Sequence, residues 1–122
     1  MITLKTRRYL RYHLMLGVKG RATAEKANDT PLEFHGHTTD VSLRGLCISA
    51  DRNPGISIGQ QFKMMIKLFQ DESPIEVVGQ VCWLKEVNQT REEQSTQIGL
   101  ELLGMANSTR DYDRWIERIN WN

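Results

Sequence analysis

The strongest constraint on the fold is that most of this sequence alternates between apolar and polar residues with a period of two. Residues 12–19 place Tyr12, Leu14, Leu16 and Val18 at every second position, which predicts a half-buried strand. Polar residues 20–30 indicate a loop or a loosely paired hairpin. Further strands are predicted over residues 32–39, 46–50, 62–69, 75–87 and 97–103.

Near the carboxyl end the apolar period changes from two to that of an α-helix. The residues on this apolar face are Tyr112, Trp115, Ile116 and Ile119. Their spacing of i, i+3, i+4 and i+7 predicts an amphipathic helix. Asn107 or Ser108 would cap its first turn, and Ser108 with Asp111 resembles a capping box.

Several short strands followed by one helix predict a small, mainly β, antiparallel architecture. Closing the strands into a barrel would remove exposed strand edges. The chain has 122 residues and contains no internal repeat or linker, so we expect a single domain. We divide it into a flexible basic arm over residues 1–11, a barrel over 12–103 and a helix over 108–121.

The net charge of +1 conceals an asymmetry along the chain. Residues 1–60 hold nine Lys/Arg and five Asp/Glu, whereas residues 61–122 hold seven and ten. The basic excess is greatest before Glu25, the first acidic residue, and indicates an anionic partner such as a nucleotide, a nucleic acid or a membrane surface.

Composition also indicates where in the cell the protein is located. No apolar run is long enough to span a membrane, and residues 1–8 lack the apolar core of a signal peptide. Cys47 and Cys82 have apolar neighbours and are predicted to be small buried hydrophobic residues, not a disulfide pair. We therefore expect a cytoplasmic protein without membrane insertion.

Two short segments carry residues suited to binding an anion that bears a base. Arg7 and Arg11 form an R-x-x-x-R spacing, and guanidinium groups pair with phosphate or with the edge of guanine. Asp40, Ser42 and Gly45 lie between two predicted strands, where a carboxylate accepts N–H groups and Ser supplies a hydroxyl. A charged tail and an ordinary polar turn would also account for these two segments.

Together these segments resemble the PilZ domain family, receptors for the bacterial second messenger cyclic di-GMP (c-di-GMP). The family pairs R-x-x-x-R with [D/N]-x-S-x-x-G about thirty residues later, and every motif position matches here. Residues 78–83 are similar to its G-x-V-x-W strand, and residues 98–102 to its G-[VL]-x-F strand, with Leu102 where Phe is commoner.

The resemblance implies a six-stranded antiparallel PilZ-type β-barrel with a C-terminal α-helix. It also implies a c-di-GMP site, with Trp83 either stacking on a base or filling the core. The residues implied to bind the ligand are Arg7, Arg8, Arg11, Asp40, Ser42, Gly45 and Trp83. We expect the basic arm to be disordered without ligand and to fold over it, signalling occupancy to an unidentified effector protein.

Other functions receive less support from the sequence. His35 and His37 form an H-x-H pair, but a metal site needs more ligands than two, so we predict no metal. No catalytic motif or cofactor motif is present, so we expect no enzyme. Two alternatives to a receptor are a PilZ-like interaction adaptor that binds no nucleotide and a small-barrel binder of single-stranded nucleic acid. The helix with Trp115 and Trp121 is a candidate contact for the effector protein.

Overall fold

The computed structural model describes residues 12–22, 32–51, 55–70, 72–88, 94–105 and 108–120. Within these ranges, six β-strands precede one α-helix. The strands are β1 (Gly17–Ala22), β2 (Glu33–Ser42), β3 (Gly45–Ala50), β4 (Gln61–Ile66), β5 (Ile75–Asn88) and β6 (Gln94–Met105), and the helix is α1 (Ser108–Asn120).

The six strands form a closed barrel in the order β1-β2-β3-β6-β5-β4, and pairing of β1 with β4 completes the ring. All neighbouring strands are antiparallel. Each strand is thus paired on both sides, which avoids long edges open to aggregation. The predicted mainly β fold, with a six-stranded barrel and a C-terminal helix, is confirmed.

The barrel interior is filled by the apolar residues of the alternating pattern. In β1 and β4 every second residue is buried, as a strand with one face on a core requires. Phe34 of β2 meets Phe62 of β4 edge to face, with ring centroids 5.1 Å apart. The largest fully buried side chains are Trp115, Phe62, Leu46, Ile48, Met64, Ile66, Ile75, Ile98 and Ile119.

The first strand begins at Gly17, five residues later than the alternation suggested. Thr38 of β2 is the physical reason, because its buried hydroxyl donates to the carbonyl of Leu14 and accepts from the amide of Leu16 at 2.9 Å. These side-chain bonds stand beside a backbone hydrogen bond of 2.9 Å from the Thr38 amide to the Leu16 carbonyl, so the ladder ahead of β1 is irregular. The alternation in burial is nevertheless kept, with Leu14 and Leu16 buried and Met15 78% exposed.

Helix α1 packs Trp115 and Ile119 into the core and is held to the loops by polar contacts. Asp111, predicted to complete a capping box, accepts a hydrogen bond from the amide of Glu76 at 3.3 Å. Tyr112 was expected on the apolar face but is 43% exposed. The Trp115 side chain is fully buried, so a contact between this helix and an effector protein, which stays a prediction, would use its other residues. Trp121 lies outside the described residues.

In the part of the chain that the structure describes, no helix has both the length and the apolar character needed to cross a bilayer.

Candidate functional site

The D-x-S-x-x-G segment forms the end of β2, a two-residue turn and the start of β3. Ser42 and Gly45 face each other across this turn, and the Ser42 hydroxyl donates to the Gly45 carbonyl at 3.3 Å. Ser42 is only 4% exposed. In this structure its hydroxyl therefore fixes the shape of the hairpin. A side chain at Gly45 would bring its Cβ to 3.1 Å from the carbonyl oxygen of Leu100, so glycine allows β3 to approach β6 closely.

A β-bulge in β2 decides where Asp40 lies. Thr38 pairs with Ile48 and Asp40 with Cys47, which leaves Thr39 as an extra residue. Without this bulge, the period that buries Phe34 and Thr38 would also turn Asp40 inward. Instead Val41 is fully buried and Asp40 lies on the outer face, half-buried. An added residue in one strand re-aims the side chains that follow it.

A second bulge, in β5, decides where Trp83 lies. Val81 pairs with Leu100 and Trp83 with Gly99, so Cys82 is the extra residue. Since Val81 is buried, strict alternation would have buried Trp83 as well. The indole is instead 43% exposed, outside the core. The expectation of a buried Cys82 was wrong, because the bulge leaves its thiol exposed, whereas Cys47 is buried as expected.

These two bulges bring Asp40 and Trp83 onto one cross-strand row. Asp40 pairs with Cys47, Cys47 with Gly99, and Gly99 with Trp83. We call these four residues the outer row. At roughly 4.8 Å per strand it spans about 14 Å along the barrel surface. Its centre carries one small side chain and one glycine. It is therefore a flat surface with a carboxylate at one end and an indole at the other, suited to a planar polar ring.

The chain enters the described structure beside this row. Tyr12 and Val41 exchange two backbone hydrogen bonds of 2.7 and 2.8 Å, forming an isolated bridge. Val41 lies between Asp40 and Ser42, so the residue that follows Arg11 is fixed next to the motif. Arg7, Arg8 and Arg11, which were predicted to bind the ligand, lie outside the described residues.

The turn of the same hairpin is tied to the rest of the fold. The Leu43 carbonyl accepts a hydrogen bond from the Trp115 indole at 3.3 Å, and the Arg44 carbonyl accepts one from the Leu102 amide at 2.9 Å. A groove of about 470 Å³ lies between this turn, Leu103 of β6 and Tyr112 of α1. The hairpin is thereby connected to both the barrel and the C-terminal helix.

The remaining predicted candidates are separate from this arrangement. His35 is exposed and His37 half-buried on β2. Among the described residues, no group of three or more His, Cys, Asp or Glu side chains could hold a metal ion.

Sequence reasoning missed Cys47 and Gly99, the centre of the outer row. An isolated glycine in a strand is a signal for close approach by another group, so Gly99 could have been found. The bulges at Thr39 and Cys82 have no such signal, because neither residue type is characteristic of a bulge.

The sequence matches the PilZ domain family model over residues 5–118. No curated protein matches the chain. The match accounts for both motif segments, for the barrel strands and for most of α1.

Solved structures with a similar fold include proteins from three bacteria. The inhibitor of motility MotI/DgrA of Bacillus subtilis has a TM-score of 0.60 and 19% identity, over 88% of this chain and 46% of its own. The PilZ domain of YcgR from Escherichia coli, a structure with c-di-GMP, has a TM-score of 0.61 and 17% identity. The match covers 93% of this chain and 87% of the YcgR chain. A K. pneumoniae MrkH–c-di-GMP complex has a TM-score of 0.66 and 19% identity. The match covers 94% of this chain and 50% of the MrkH chain. The chain thus spans about half the length of MotI and MrkH.

Proposed function

Because the chain belongs to the PilZ domain family, we propose that it is a receptor for c-di-GMP. The observation that carries the proposal is the outer row, in which two independent bulges turn Asp40 and Trp83 to the same surface. The c-di-GMP in the YcgR and MrkH structures supports the same ligand. The proposed activity is binding without catalysis, and it needs no cofactor.

In this proposal the outer row recognises the guanine base. Asp40 accepts hydrogen bonds from guanine N–H groups, since an ionised carboxylate is an acceptor only. Adenine lacks the N2 amino donor of guanine, so the carboxylate selects between the two purines. Trp83 stacks on a base, an interaction that costs about 1–3 kcal/mol when the aromatic ring is removed. Ser42 and Gly45 keep the hairpin in the shape that presents Asp40.

The basic arm supplies the groups that neutralise the ligand. Arg11 is bonded directly to Tyr12, and Tyr12 is hydrogen-bonded to Val41 beside Asp40. Arg7 and Arg11 would pair with phosphates and guanine edges through their planar donor forks, and Arg8 is a third cation for a phosphate. Ordering of this arm on binding would change the surface offered to an effector protein in the cytoplasm.

Isothermal titration with c-di-GMP, using cyclic di-AMP as the control ligand, tests the proposal. We expect binding of the first and not of the second. Arg7→Ala and Arg11→Ala should each weaken binding roughly thirtyfold or more, the effect of about 2–5 kcal/mol for removing one partner of a buried charged contact. A flat titration with c-di-GMP would contradict the receptor and favour an interaction adaptor.

Two further measurements address the mechanism and the other alternative. Hydrogen exchange over residues 5–11 should slow when c-di-GMP is added, and equal exchange with and without it would contradict arm ordering. Binding of single-stranded oligonucleotides with a steep dependence on salt, together with no response to c-di-GMP, would favour a nucleic-acid binder.

A further inference from the structure

Trp83 and Gly99 form a close contact on the barrel surface. The indole of Trp83 lies directly over the Gly99 backbone. A Cβ atom built on Gly99 would be 2.0 Å from the Trp83 Nε1 and 2.2 Å from its Cε2. Non-bonded atoms do not approach each other this closely, so a side chain at residue 99 and the present position of the Trp83 indole exclude each other. Any side chain at residue 99 must displace the indole.

The surrounding strands leave the β6 backbone little freedom to relieve this contact. Gly99 is paired with Cys47 of β3 on one side and with Trp83 of β5 on the other. Its neighbours Ile98 and Leu100 are both buried in the core. The indole is the part that can move, because it lies outside the core and is 43% exposed.

We infer that Gly99 is a positioning residue of the ligand site, which holds the Trp83 indole flat over β6 in line with Asp40. One face of the indole is covered by the Gly99 backbone, and its other face is left for a base. This inference deepens the proposed function and rests on it. It identifies the missing side chain at residue 99 as the reason why a stacking surface exists before the ligand binds.

The location of Gly99 within the outer row supports a role in binding. It lies between Trp83 and Cys47, and Cys47 is paired with Asp40. Cys47 is only 5% exposed although it is not part of the core cluster. Neither residue at the centre of the row adds a bulky side chain to the surface. An indole displaced by a methyl group would rise from this surface and leave the line that joins it to Asp40.

The test compares Gly99→Ala with Gly104→Ala on the same strand. Gly104 has open space around its Cβ position, so it provides a matched control for glycine replacement in β6. We expect Gly99→Ala to weaken c-di-GMP binding by about tenfold or more, within the range of a lost base stack. Gly104→Ala should bind within about twofold of the unsubstituted protein, since exposed substitutions away from the site have small effects.

Labelling with 5-fluorotryptophan gives a readout that a general loss of stability would not reproduce. Trp83→Phe assigns the Trp83 resonance in the ¹⁹F NMR spectrum. In the free protein this resonance should move in Gly99→Ala and stay in place in Gly104→Ala. Addition of c-di-GMP should shift it in the unsubstituted protein and shift it much less in Gly99→Ala.

The double variant Trp83→Ala/Gly99→Ala keeps the test valid if Gly99→Ala alone fails to fold, because it removes the clash. It should bind no more weakly than Trp83→Ala, as expected when one residue acts through the other. A further loss would overturn the inference. Binding by the unsubstituted protein with an unchanged Gly99→Ala affinity would overturn it too, while leaving the receptor intact. No binding by the unsubstituted protein would instead overturn the proposed function.

Discussion

Strands β1 and β4 lie side by side in the barrel and differ from the other four in regularity. Their pairings with β2, with β5 and with each other have no register shift, and in both strands buried and exposed residues alternate strictly. We call them the regular half. Strands β2, β3, β6 and β5 form the bulged half, with register shifts in the β2–β3 and β5–β6 pairings.

The difference between the halves explains how a small barrel can combine a core with the proposed binding surface. In the regular half the period places apolar side chains inside and the charged ones outside, with Met65 as an apolar residue on the outer face. In the bulged half the same period would have put Asp40 in the core, where an unpaired charge is costly. One extra residue at Thr39 turns the carboxylate out and lets Val41 take the buried position.

Substitution in the regular half should give the largest effect, and on stability alone. Phe62 of β4 is fully buried and packs against Phe34. Phe62→Ala removes this contact and leaves a cavity, so we expect a loss of about 3–5 kcal/mol in the free energy of unfolding. Urea denaturation measures it. Under conditions where the variant is folded, its affinity for c-di-GMP should be unchanged, and a weakened affinity would show that the halves are not separable.

Substitution in the bulged half should give the opposite result. Asp40→Ala is expected to weaken c-di-GMP binding roughly thirtyfold or more, because in the proposed site the carboxylate would be a desolvated partner of the base. The affinity is measured under conditions where the variant is folded, as for Phe62→Ala. Asp113→Ala, an exposed carboxylate on α1, is the control. Equal affinities for the two variants would place the base elsewhere.

The sequence predicts elements of both halves. The strands predicted over residues 62–69 and 75–87 overlap β4 and β5, and the change of period identified α1 with Trp115 and Ile119 buried. The alternation misjudged where the first strand begins, because the hydroxyl of Thr38 bonds to the Leu14 carbonyl and to the Leu16 amide ahead of β1. A side chain bonding to a backbone distant in sequence leaves no periodic signal.

The sequence selected candidate residues for the site but did not predict how the strands arrange them. Motif spacing selected Asp40, Ser42, Gly45 and Trp83, and whether these residues bind a ligand stays a prediction. Their arrangement depends on two inserted residues, which a strict period of two cannot reveal. A strict period of two would place the Trp83 side chain in the core, but the bulge at Cys82 places it on the outer surface. Local irregularity is set by how a strand pairs with its neighbour, and a period along one strand does not record this pairing.

Helix α1 provides a smaller test, because it is joined to the bulged half at Leu43. Trp115→Phe removes the indole N–H that bonds to the Leu43 carbonyl and leaves a small cavity. We expect about 1–3 kcal/mol less stability. Backbone amides of residues 42–45 should exchange faster with solvent. The exchange rates of β1 and β4 should rise only as much as the overall loss of stability requires. Uniform acceleration across the barrel would mean that this contact does not hold the hairpin specifically.

The smallest effect concerns charge on the regular half, and its sign is informative. Lys63 of β4 is paired directly with Arg21 of β1, and like charges at paired positions are unfavourable. Lys63→Glu should therefore stabilise the protein by about 0.2–1 kcal/mol, an effect that falls at high salt as screening increases. Thermal melts at low and high salt measure this change in stability. Lys63→Gln is the control, because it removes the repulsion from Arg21 without adding an attraction.

Because the ligand is anionic, Lys63→Glu also tests where c-di-GMP binds. If only the bulged half and the basic arm contact c-di-GMP, Lys63→Glu leaves its affinity within about twofold at physiological salt, where the Debye length is about 8 Å. A clear loss of affinity would extend the ligand site to β4 and end the separation between the halves.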